Sequence, residues 1–222
     1  MENKSKRLLK SLPLNKNIEL DEEQQDAFEV ITNSKLTVLN GLAGTSKTFT
    51  ACYAALHKFF KREVDRITIM RPMVGTEESK TGILPGTIEE KMEPWLLPVL
   101  ENMYLIGGKQ TVQKMYSEGK IRALPLNFAQ GNTFVDEFVI VDESQNCTKQ
   151  QVTMIITRLG LRSSMVFTGD PNQIQLKAKS HSGLQRLMDI NNKVPSMNVF
   201  TLTKNYRDPI VREILEAYEK DS

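Results

Sequence analysis

The sequence predicts an α/β fold, a mainly parallel sheet of about five strands in the order 5-1-4-3-2, with helices on both faces and a mostly helical insertion. Five short apolar segments rich in β-branched residues recur along the 222 residues, as strands would. Most segments between them have helical spacing, which favours right-handed crossovers between parallel strands. A glycine-bearing turn follows the first strand and two adjacent acids follow the third, at the edge where parallel sheets bind ligands.

The first strand and the helix after it frame a phosphate-binding loop. The apolar run LTVLN, residues 36–40, leads into GLAGTSKT, residues 41–48, and helical spacing follows from about residue 46 to 62. This nearly matches G-x-x-x-x-G-K-[ST], with free amides at the helix start converging on phosphates, but Ser46 stands where the second glycine should be. We expect a negative φ at Ser46 and a hydroxyl that accepts a backbone amide. A helix entry without a ligand is the alternative.

The second strand is RITIM, residues 66–70, and the third lies in EFVIVDESQN, residues 137–146. Asp142 and Glu143 end this third strand at its carboxyl edge, where a phosphate loop needs a partner. One carboxylate would position the magnesium ion that also takes the Thr48 hydroxyl, and the other would activate a water molecule. Two turn residues without chemistry are the alternative.

A capped helix and a fourth strand follow. Thr148 and Gln151 have capping-box spacing, and we expect the helix after them to stop at Gly160. The fourth strand lies in SMVFTGDPNQ, residues 164–173, and its turn ends at Gln173. An amide there can bind a terminal phosphate or the attacking water, although a solvated loop glutamine is the commoner fate.

The last strand, NVFTL at residues 198–202, precedes KNYRDPIVREILEAY. Asp208 with Pro209 indicates a helix start, and Ile210, Val211, Ile214, Leu215 and Tyr218 would form its apolar face. Arg207 is thereby placed between a strand and a helix start. A guanidinium there can neutralise charge on a transferred phosphoryl group, or be an ordinary surface arginine.

Composition and charge bound the class of protein. The chain is 40% hydrophobic, enough to bury a core, and its net charge of +2 does not by itself indicate nucleic acid. Cys52 and Cys147 form no C-x-x-C and have no nearby histidine, so we interpret both as packing residues. No apolar run reaches the roughly 18 to 20 residues of a membrane span and no secretory signal is evident, so we expect a cytoplasmic protein without a membrane partner.

The uneven charge suggests the domain organisation. Residues 1–16 contain five basic residues and only Glu2 as an acid, so we expect residues 1–20 to be a mobile basic arm. We expect residues 21–222 to form one domain with an insertion at 75–137. Residues 75–102 contain six glutamates against two lysines, which indicates either a solvated face or a binding surface.

The ordered motifs resemble the PhoH-like ATPase family, single RecA-type P-loop NTPase domains related to superfamily 1 helicases. The resemblance is carried by GLAGTSKT, VIVDESQN, TGDPNQ and MRPMVGTEESKTGILPGTIEEKMEPWLLPVL, and it runs from about residue 20 to 218. It implies ATP and Mg²⁺ as cofactors, with Thr48 and Asp142 as magnesium holders. It also implies catalytic roles for Lys47 at the β- and γ-phosphates, Glu143 as base, Gln173 as γ-phosphate sensor and Arg207, from the similarity of NYRD to N-Y-R-S.

The nucleotide-binding residues implied by the resemblance are Gln24, Gly41, Ala43, Gly44, Thr45, Ser46, Lys47 and Thr48. Gln24 would read adenine, because LDEEQQDA is similar to the helicase Q motif. Asp21 and Gln24 also have capping-box spacing, which is the local alternative.

The helicase relatives imply RNA or single-stranded DNA as a partner. The strand-end loop at residues 71–76 would touch its backbone, and Trp95 would be either a core residue or a stacking platform. Basic candidates in the second half of the insertion are Lys109, Lys114, Lys120 and Arg122. Translocating relatives close each site between two RecA-like units, so we expect a homo-oligomer, a hexameric ring, with Arg158 or Arg162 reaching a neighbour's γ-phosphate.

We therefore expect Mg-dependent ATP hydrolysis coupled to RNA or single-stranded DNA binding, translocation or unwinding. A non-hydrolysing ATP-binding switch or scaffold is the alternative, and the substitution at Ser46 leaves it open. A small-molecule kinase is disfavoured, because Glu143 and Gln173 suit water activation and the sequence has no arginine-rich lid.

Overall fold

The computed structural model describes residues 12–72, 88–176, 178–211 and 213–214. Its helices are α1 (Glu22–Asn33), α2 (Lys47–Phe60), α3 (Ile88–Gly107), α4 (Lys109–Ser117), α5 (Lys149–Ile156) and α6 (Gly183–Ile190). Its strands are β1 (Leu36–Gly41), β2 (Arg66–Met70), β3 (Ile121–Ala123), β4 (Glu137–Val141), β5 (Ser164–Gly169) and β6 (Met197–Leu202). Short 3₁₀ turns connect several of these elements.

The six strands form one sheet in the order β3-β2-β4-β5-β1-β6, and every described pair is parallel. The five predicted strands are β1, β2, β4, β5 and β6, and they neighbour one another in the predicted order. Strand β3, which was not predicted, adds to the sheet beside β2. With only three residues, one of them Arg122, β3 does not form the apolar run by which the other strands were identified.

Helices cover both faces of the sheet. Alternate residues along the strands pack into two different hydrophobic clusters, one on each face. Phe138 and Ile140 of β4 belong to the cluster shared with α1 to α4, whereas Val139 and Val141 belong to the cluster shared with α5 and α6. This is the two-residue period of a strand that is buried on both faces. The predicted fold class, a RecA-like P-loop domain with a mainly parallel sheet, is confirmed.

Two helix ends differ from the predictions. Helix α2 begins at Lys47, with Ser46 outside it, and α5 ends at Ile156 rather than at Gly160. The predicted stop at Gly160 is wrong because this glycine serves close packing: a Cβ there would lie 2.3 Å from the Phe134 carbonyl oxygen. The predicted capping box of α5, from Thr148 and Gln151, is confirmed.

The described chain ends add two findings. Residues 12–20, the described part of the predicted basic arm, lie against the domain: Leu14 is buried and the Asn15 amide donates to the Ile106 carbonyl at 2.7 Å. At the other end, the Asp208 side chain accepts from the Ile210 amide at 3.0 Å, as a helix cap would. Ile210 and Ile214 are 57% and 46% exposed, and Leu215 and Tyr218 of the predicted face lie outside the described residues.

Within the ranges that the structure describes, no helix has the length and apolar character to cross a membrane.

Candidate nucleotide-binding site

A cavity of about 310 Å³ opens at the carboxyl edge of the sheet, where β1, β4 and β5 end. Its volume is at the lower end of the range of small-molecule sites. Most of the residues predicted from the sequence line it: Ala43, Gly44, Thr45, Ser46, Lys47, Thr48, Asp142, Glu143, Gln173 and Arg207. Gly41 lies at the base of the loop, and Gln24 lies behind Ser46.

The two glycines of the loop allow it to lie directly on the segment that follows β6. A Cβ on Gly41 would lie 2.4 Å from the Leu202 carbonyl oxygen. Gly44 has a φ of +86°, which favours glycine, and a Cβ there would lie 2.6 Å from the Asn205 Oδ1 atom. Two hydrogen bonds join the same surfaces, from the Tyr206 amide to the Gly44 carbonyl and from the Asn205 side chain to the Ala43 carbonyl.

The predicted conformation of Ser46 is wrong. Its φ is +61° and its ψ is +19°, the left-handed region, and its side chain does not cap α2. The position therefore keeps the backbone shape for which glycine is suited, at a cost of about 1 to 2 kcal/mol for a residue with a Cβ. Its hydroxyl instead accepts a hydrogen bond from the Gln24 Nε2 atom at 3.0 Å. The predicted negative φ ignored that the pattern places glycine here for its conformation.

Lys47 lies inside the loop that is predicted to hold phosphates. Its Nζ atom donates to the carbonyls of Gly41 and Leu42, at 2.8 and 2.7 Å. Burial lowers the pKa of Lys47, while the nearby charges of Asp170, Glu143 and Asp142 act in the opposite direction. The ammonium group is thus held by neutral carbonyls and faced by acids, an arrangement in which phosphate oxygens can become its partners.

Asp142 accepts hydrogen bonds from the hydroxyl groups of two different elements, α2 and β5. Its Oδ1 atom accepts hydrogen bonds from Thr48 at 2.8 Å and from Thr168 at 2.6 Å, and the residue is 3% exposed. Carboxylate and hydroxyl oxygens are hard ligands, so this donor set fits Mg²⁺. In the described part of the chain, no group of three or more His, Cys, Asp or Glu residues could hold a metal. Mg²⁺ does not need one, because it keeps waters and substrate phosphates as ligands.

Glu143 has a left-handed backbone, with a φ of +52° and a ψ of +35°. Such conformations in non-glycine residues are uncommon and concentrate at functional sites. Its Oε2 atom accepts from the Gln145 side chain at 2.6 Å, while its Oε1 atom lies 3.7 Å from the Arg71 guanidinium. Its side chain is 39% exposed, so one carboxylate oxygen is oriented by the protein and the group still reaches the cavity.

Gln173 and Arg207 both line the cavity, and different segments supply them. Gln173 ends the short 3₁₀ turn Pro171–Gln173 and is exposed. Its backbone N–H donates to the Asp170 carbonyl. Arg207 follows the segment that lies on the phosphate loop, and its side-chain carbons come within 3 Å of the position a Cβ on Gly44 would take. The structure therefore brings both side chains to the site at which the sequence predicts them.

Gln24 takes part in two interactions at once. Its Oε1 atom accepts from the Asp21 amide at 3.1 Å, which completes the capping box of α1, and its Nε2 atom donates to Ser46. The capping-box interpretation is therefore confirmed. The carboxamide has a protein partner at each end, so reading adenine would require it to exchange one of them.

Five further residues line the cavity for which the sequence predicted no role: Phe49, Asn102, Thr168, Gly169 and Asp170. The turn that contains Gly169 and Asp170 was expected beside the acids, and Asp170 follows β5 as Asp142 follows β4, which could have identified it as a site residue. Asn102 lies on α3 in the predicted insertion, and no pattern in the sequence places that helix against the nucleotide site.

Residues predicted to touch nucleic acid or a neighbouring subunit are distributed over the surface. Lys109, Lys114 and Lys120 are exposed, whereas Arg122 pairs with Glu137. Arg71 points to the acidic pair, Trp95 is half-buried, and residues 73–76 of the predicted contact loop lie outside the described residues.

The two arginines considered for a neighbour's site differ in their surroundings. The guanidinium of Arg162 pairs with Asp136, with one hydrogen bond of 2.6 Å. Arg158 is half-buried, and its Nε atom is buried without a hydrogen-bond partner in the structure.

The model of the PhoH-like protein family matches residues 18–219 of this chain. The chain belongs to the PhoH family. A PhoH-like protein from Mycobacterium bovis is 38% identical over 182 residues, covering 81% of this chain and 51% of that protein. Those from Synechocystis and Bacillus subtilis are 37% and 36% identical, covering 89% and 90% of this chain. This PhoH-family chain spans 60% and 63% of the length of those two relatives, and about half of the first.

A solved structure shows the same fold at low sequence identity. The large terminase of a thermophilic bacteriophage aligns with a TM-score of 0.54 at 10% identity, over 84% of this chain and 46% of the terminase. The Pif1 helicase of Candida albicans aligns with a TM-score of 0.47 at 13% identity, over 90% of this chain and 44% of Pif1. Family and fold together support a nucleotide-binding protein of the P-loop class.

Proposed function

We propose that this chain hydrolyses ATP with magnesium and couples the reaction to RNA or single-stranded DNA. One observation carries the proposal: a lysine, a hydroxyl, two acids and a glutamine from separate motifs line a single cavity. P-loop hydrolysis requires this combination, because it must neutralise phosphate charge and activate water at one place.

The phosphates would bind to the loop and to Lys47. The loop amides precede α2, whose amino-terminal dipole favours anions, and Lys47 would exchange its two carbonyl partners for β- and γ-phosphate oxygens. Thr48 and Asp142 would hold a magnesium ion, which supplies positive charge to the β- and γ-phosphates when bound. Arg207, on the wall formed by the segment after β6, would face the charge that develops during transfer.

Water activation would fall to Glu143 and Gln173. Glu143 is the more exposed of the two acids, and Gln145 binds only one of its two carboxylate oxygens. It would accept the proton of the attacking water, as a general base must lie within hydrogen-bond reach of it. Gln173, which lines the same cavity, would orient that water through its amide. Gln24 would contact adenine by exchanging its bond to Ser46.

Nucleic acid is proposed as the partner because of the family's relation to helicases and the exposed lysines of the predicted insertion. Lys109, Lys114 and Lys120 are all exposed, near or on α4, and a backbone-tracking surface needs such charges. The insertion at 75–137 would then be the part of a single domain, residues 21–222, that contacts nucleic acid.

A second candidate function is an ATP-binding switch that does not hydrolyse. The left-handed Ser46 favours it, because a side chain occupies the place of a glycine next to the phosphates. In that case ATP would bind without turnover, and the bound state would act through a partner.

Phosphate release with and without single-stranded RNA or DNA separates the two. We expect turnover that nucleic acid stimulates, and a loss of at least about 100-fold in kcat for both Lys47→Ala and Glu143→Gln, as for groups that act directly in catalysis. Lys193→Ala and Glu29→Gln remove the same charges from exposed positions away from the cavity and should keep wild-type rates. ATP binding without turnover in the wild type would instead support the switch.

A further inference from the structure

We infer that Arg71 is a positioning residue that links the acidic pair of the nucleotide site to helix α3, so that nucleotide binding is transmitted to that helix. Arg71 follows β2 directly, and β2 pairs with β4, so its side chain starts beside the carboxyl end of the strand that carries Asp142 and Glu143. The inference rests on the proposed nucleotide site and adds a residue to which no motif assigned a role there.

The guanidinium of Arg71 meets three partners with three different nitrogens. Its Nε atom lies 3.9 Å from Asp142 Oδ2, and its Nη2 atom lies 3.7 Å from Glu143 Oε1. Its Nη1 atom donates to the main-chain carbonyl of Trp95 in α3 at 3.0 Å. The planar fork of an arginine suits such divided contact, which a single ammonium group cannot reproduce.

Arg71 faces the oxygen of each acid that is not engaged by the neighbouring hydroxyl and amide groups. In Asp142 the other oxygen is taken by Thr48 and Thr168, and in Glu143 by Gln145. Both ion-pair distances exceed hydrogen-bond range, whereas the bond to Trp95 is short. Arg71 therefore has a direct hydrogen bond to α3 and a longer-range attraction to the two acids. A magnesium ion or a phosphate bound beside the acids would change that attraction and leave the bond to α3 in place.

Two prolines interrupt the backbone hydrogen bonding of helix α3 near this point. The helix contains Pro94 and Pro98, and a proline removes the amide that would bond to the carbonyl four residues earlier, which weakens the helix around Trp95. Further along the same helix, Asn102 lines the nucleotide cavity. Helix α3 therefore contacts the nucleotide site at two points. The Trp95 carbonyl accepts a hydrogen bond from Arg71, and Asn102 lines the cavity itself. A change at the acids would reach α3 through the guanidinium, and α3 lies in the predicted insertion.

Trp95 is the only tryptophan in the chain, so its fluorescence reports on this helix without interference. In the wild type we expect Mg-ATP, or a non-hydrolysable analogue, to change the Trp95 emission. Arg71→Gln should remove most of that change while calorimetry shows an ATP Kd within about threefold of wild type. Its kcat should fall about tenfold with KM nearly unchanged, as for a misplaced catalytic group. Arg71→Lys should fall between the two.

Arg186→Gln, an exposed arginine on α6, is the matched control and should keep both the emission change and the rate. A wild-type emission change and kcat in Arg71→Gln, with ATP bound, would overturn the inference and leave the proposed function standing. An unresponsive Trp95 in ATP-bound wild type would also overturn it. If the wild type binds no ATP, the proposed function fails and the inference falls with it. If Arg71→Gln does not fold, Arg71→Lys is the deciding variant. A wild-type change in Trp95 emission and a wild-type kcat in Arg71→Lys would overturn the link between the acidic pair and α3.

Discussion

Single residues at this site take the backbone conformations that their positions require, even where the side chain opposes them. Ser46 and Glu143, which line the nucleotide cavity, have φ of +61° and +52° without being glycine. For Ser46 the departure from the motif is in the side chain alone, since the backbone adopts a glycine-like conformation. The sequence revealed the substitution but not this outcome, because a pattern records which residue is present and not the φ it adopts.

Two substitutions at Ser46 separate its strain from its hydrogen bond. Ser46→Ala and Ser46→Gly both remove the bond from Gln24, but only glycine relieves the left-handed backbone. We expect Ser46→Gly to be more stable than Ser46→Ala by about 1 kcal/mol, and Ser46→Ala to be less stable than wild type by about 1 to 2 kcal/mol. Urea unfolding midpoints at equal m-values measure both differences. Equal stability of the two variants would show that Ser46 is unstrained.

At the scale of elements, the strands and helices with clear periodicity were predicted, and those held by tertiary contact were not. The apolar run of β4 and the capping box of α5 are local features of the sequence, and both were predicted. Strand β3 and the approach of α3 to the nucleotide site depend on partners far away in sequence. Because distant partners stabilise β3 and the packing of α3, no local sequence pattern predicts either one.

Strand β3 is joined to the sheet by a buried carboxylate in addition to its backbone bonds. Glu137 of β4 is 4% exposed and accepts hydrogen bonds from Thr68 of β2 at 2.6 Å and from Arg122 of β3 at 3.1 and 3.2 Å. Arg66 of β2 contributes a further bond at 3.2 Å. Three strands thus converge on one acid.

Glu137→Gln should therefore destabilise the chain by about 2 kcal/mol. The variant leaves a half-buried guanidinium without its charged partner, a loss of about 3 to 5 kcal/mol for fully buried pairs that partial exposure of the arginines reduces. The matched control is Arg66→Gln, which removes a side chain that is 43% exposed and should cost less than about 1 kcal/mol. Urea unfolding measures both, and equal losses would contradict the central role of Glu137.

At the scale of the whole molecule, the sheet order followed from the motifs because parallel strands with right-handed crossovers leave few arrangements that gather all ligands at one edge. The phosphate loop, the acids and Gln173 were predicted together for this reason, and ten of the predicted residues line one cavity. The position of Asn102 and the bond from Arg71 to Trp95 could not be predicted, because they depend on how α3 packs over the sheet.

We expect a neighbouring chain to complete the nucleotide site in an assembly. Arg162 is tied to Asp136 of its own chain, whereas the Nε atom of Arg158 is buried and unbonded in the structure. We therefore propose Arg158 as the residue that would reach a neighbour's γ-phosphate in a closed ring, probed with Arg158→Ala and its control Arg162→Ala. With ATP and single-stranded RNA present, we expect sedimentation to show a hexamer at micromolar concentration.

Arg158→Ala should keep ATP binding but lose about 1,000-fold or more in kcat, since an arginine finger contributes roughly 10³ to 10⁵. Arg162→Ala should keep the rate within a few fold, because that guanidinium already has a partner. Mixing Arg158→Ala with Glu143→Gln protomers should restore part of the activity, because an interface between an intact Arg158 and an intact Glu143 then forms in some rings. A monomer in the sedimentation experiment, or no recovery on mixing with a ring present, would refute a site shared between subunits.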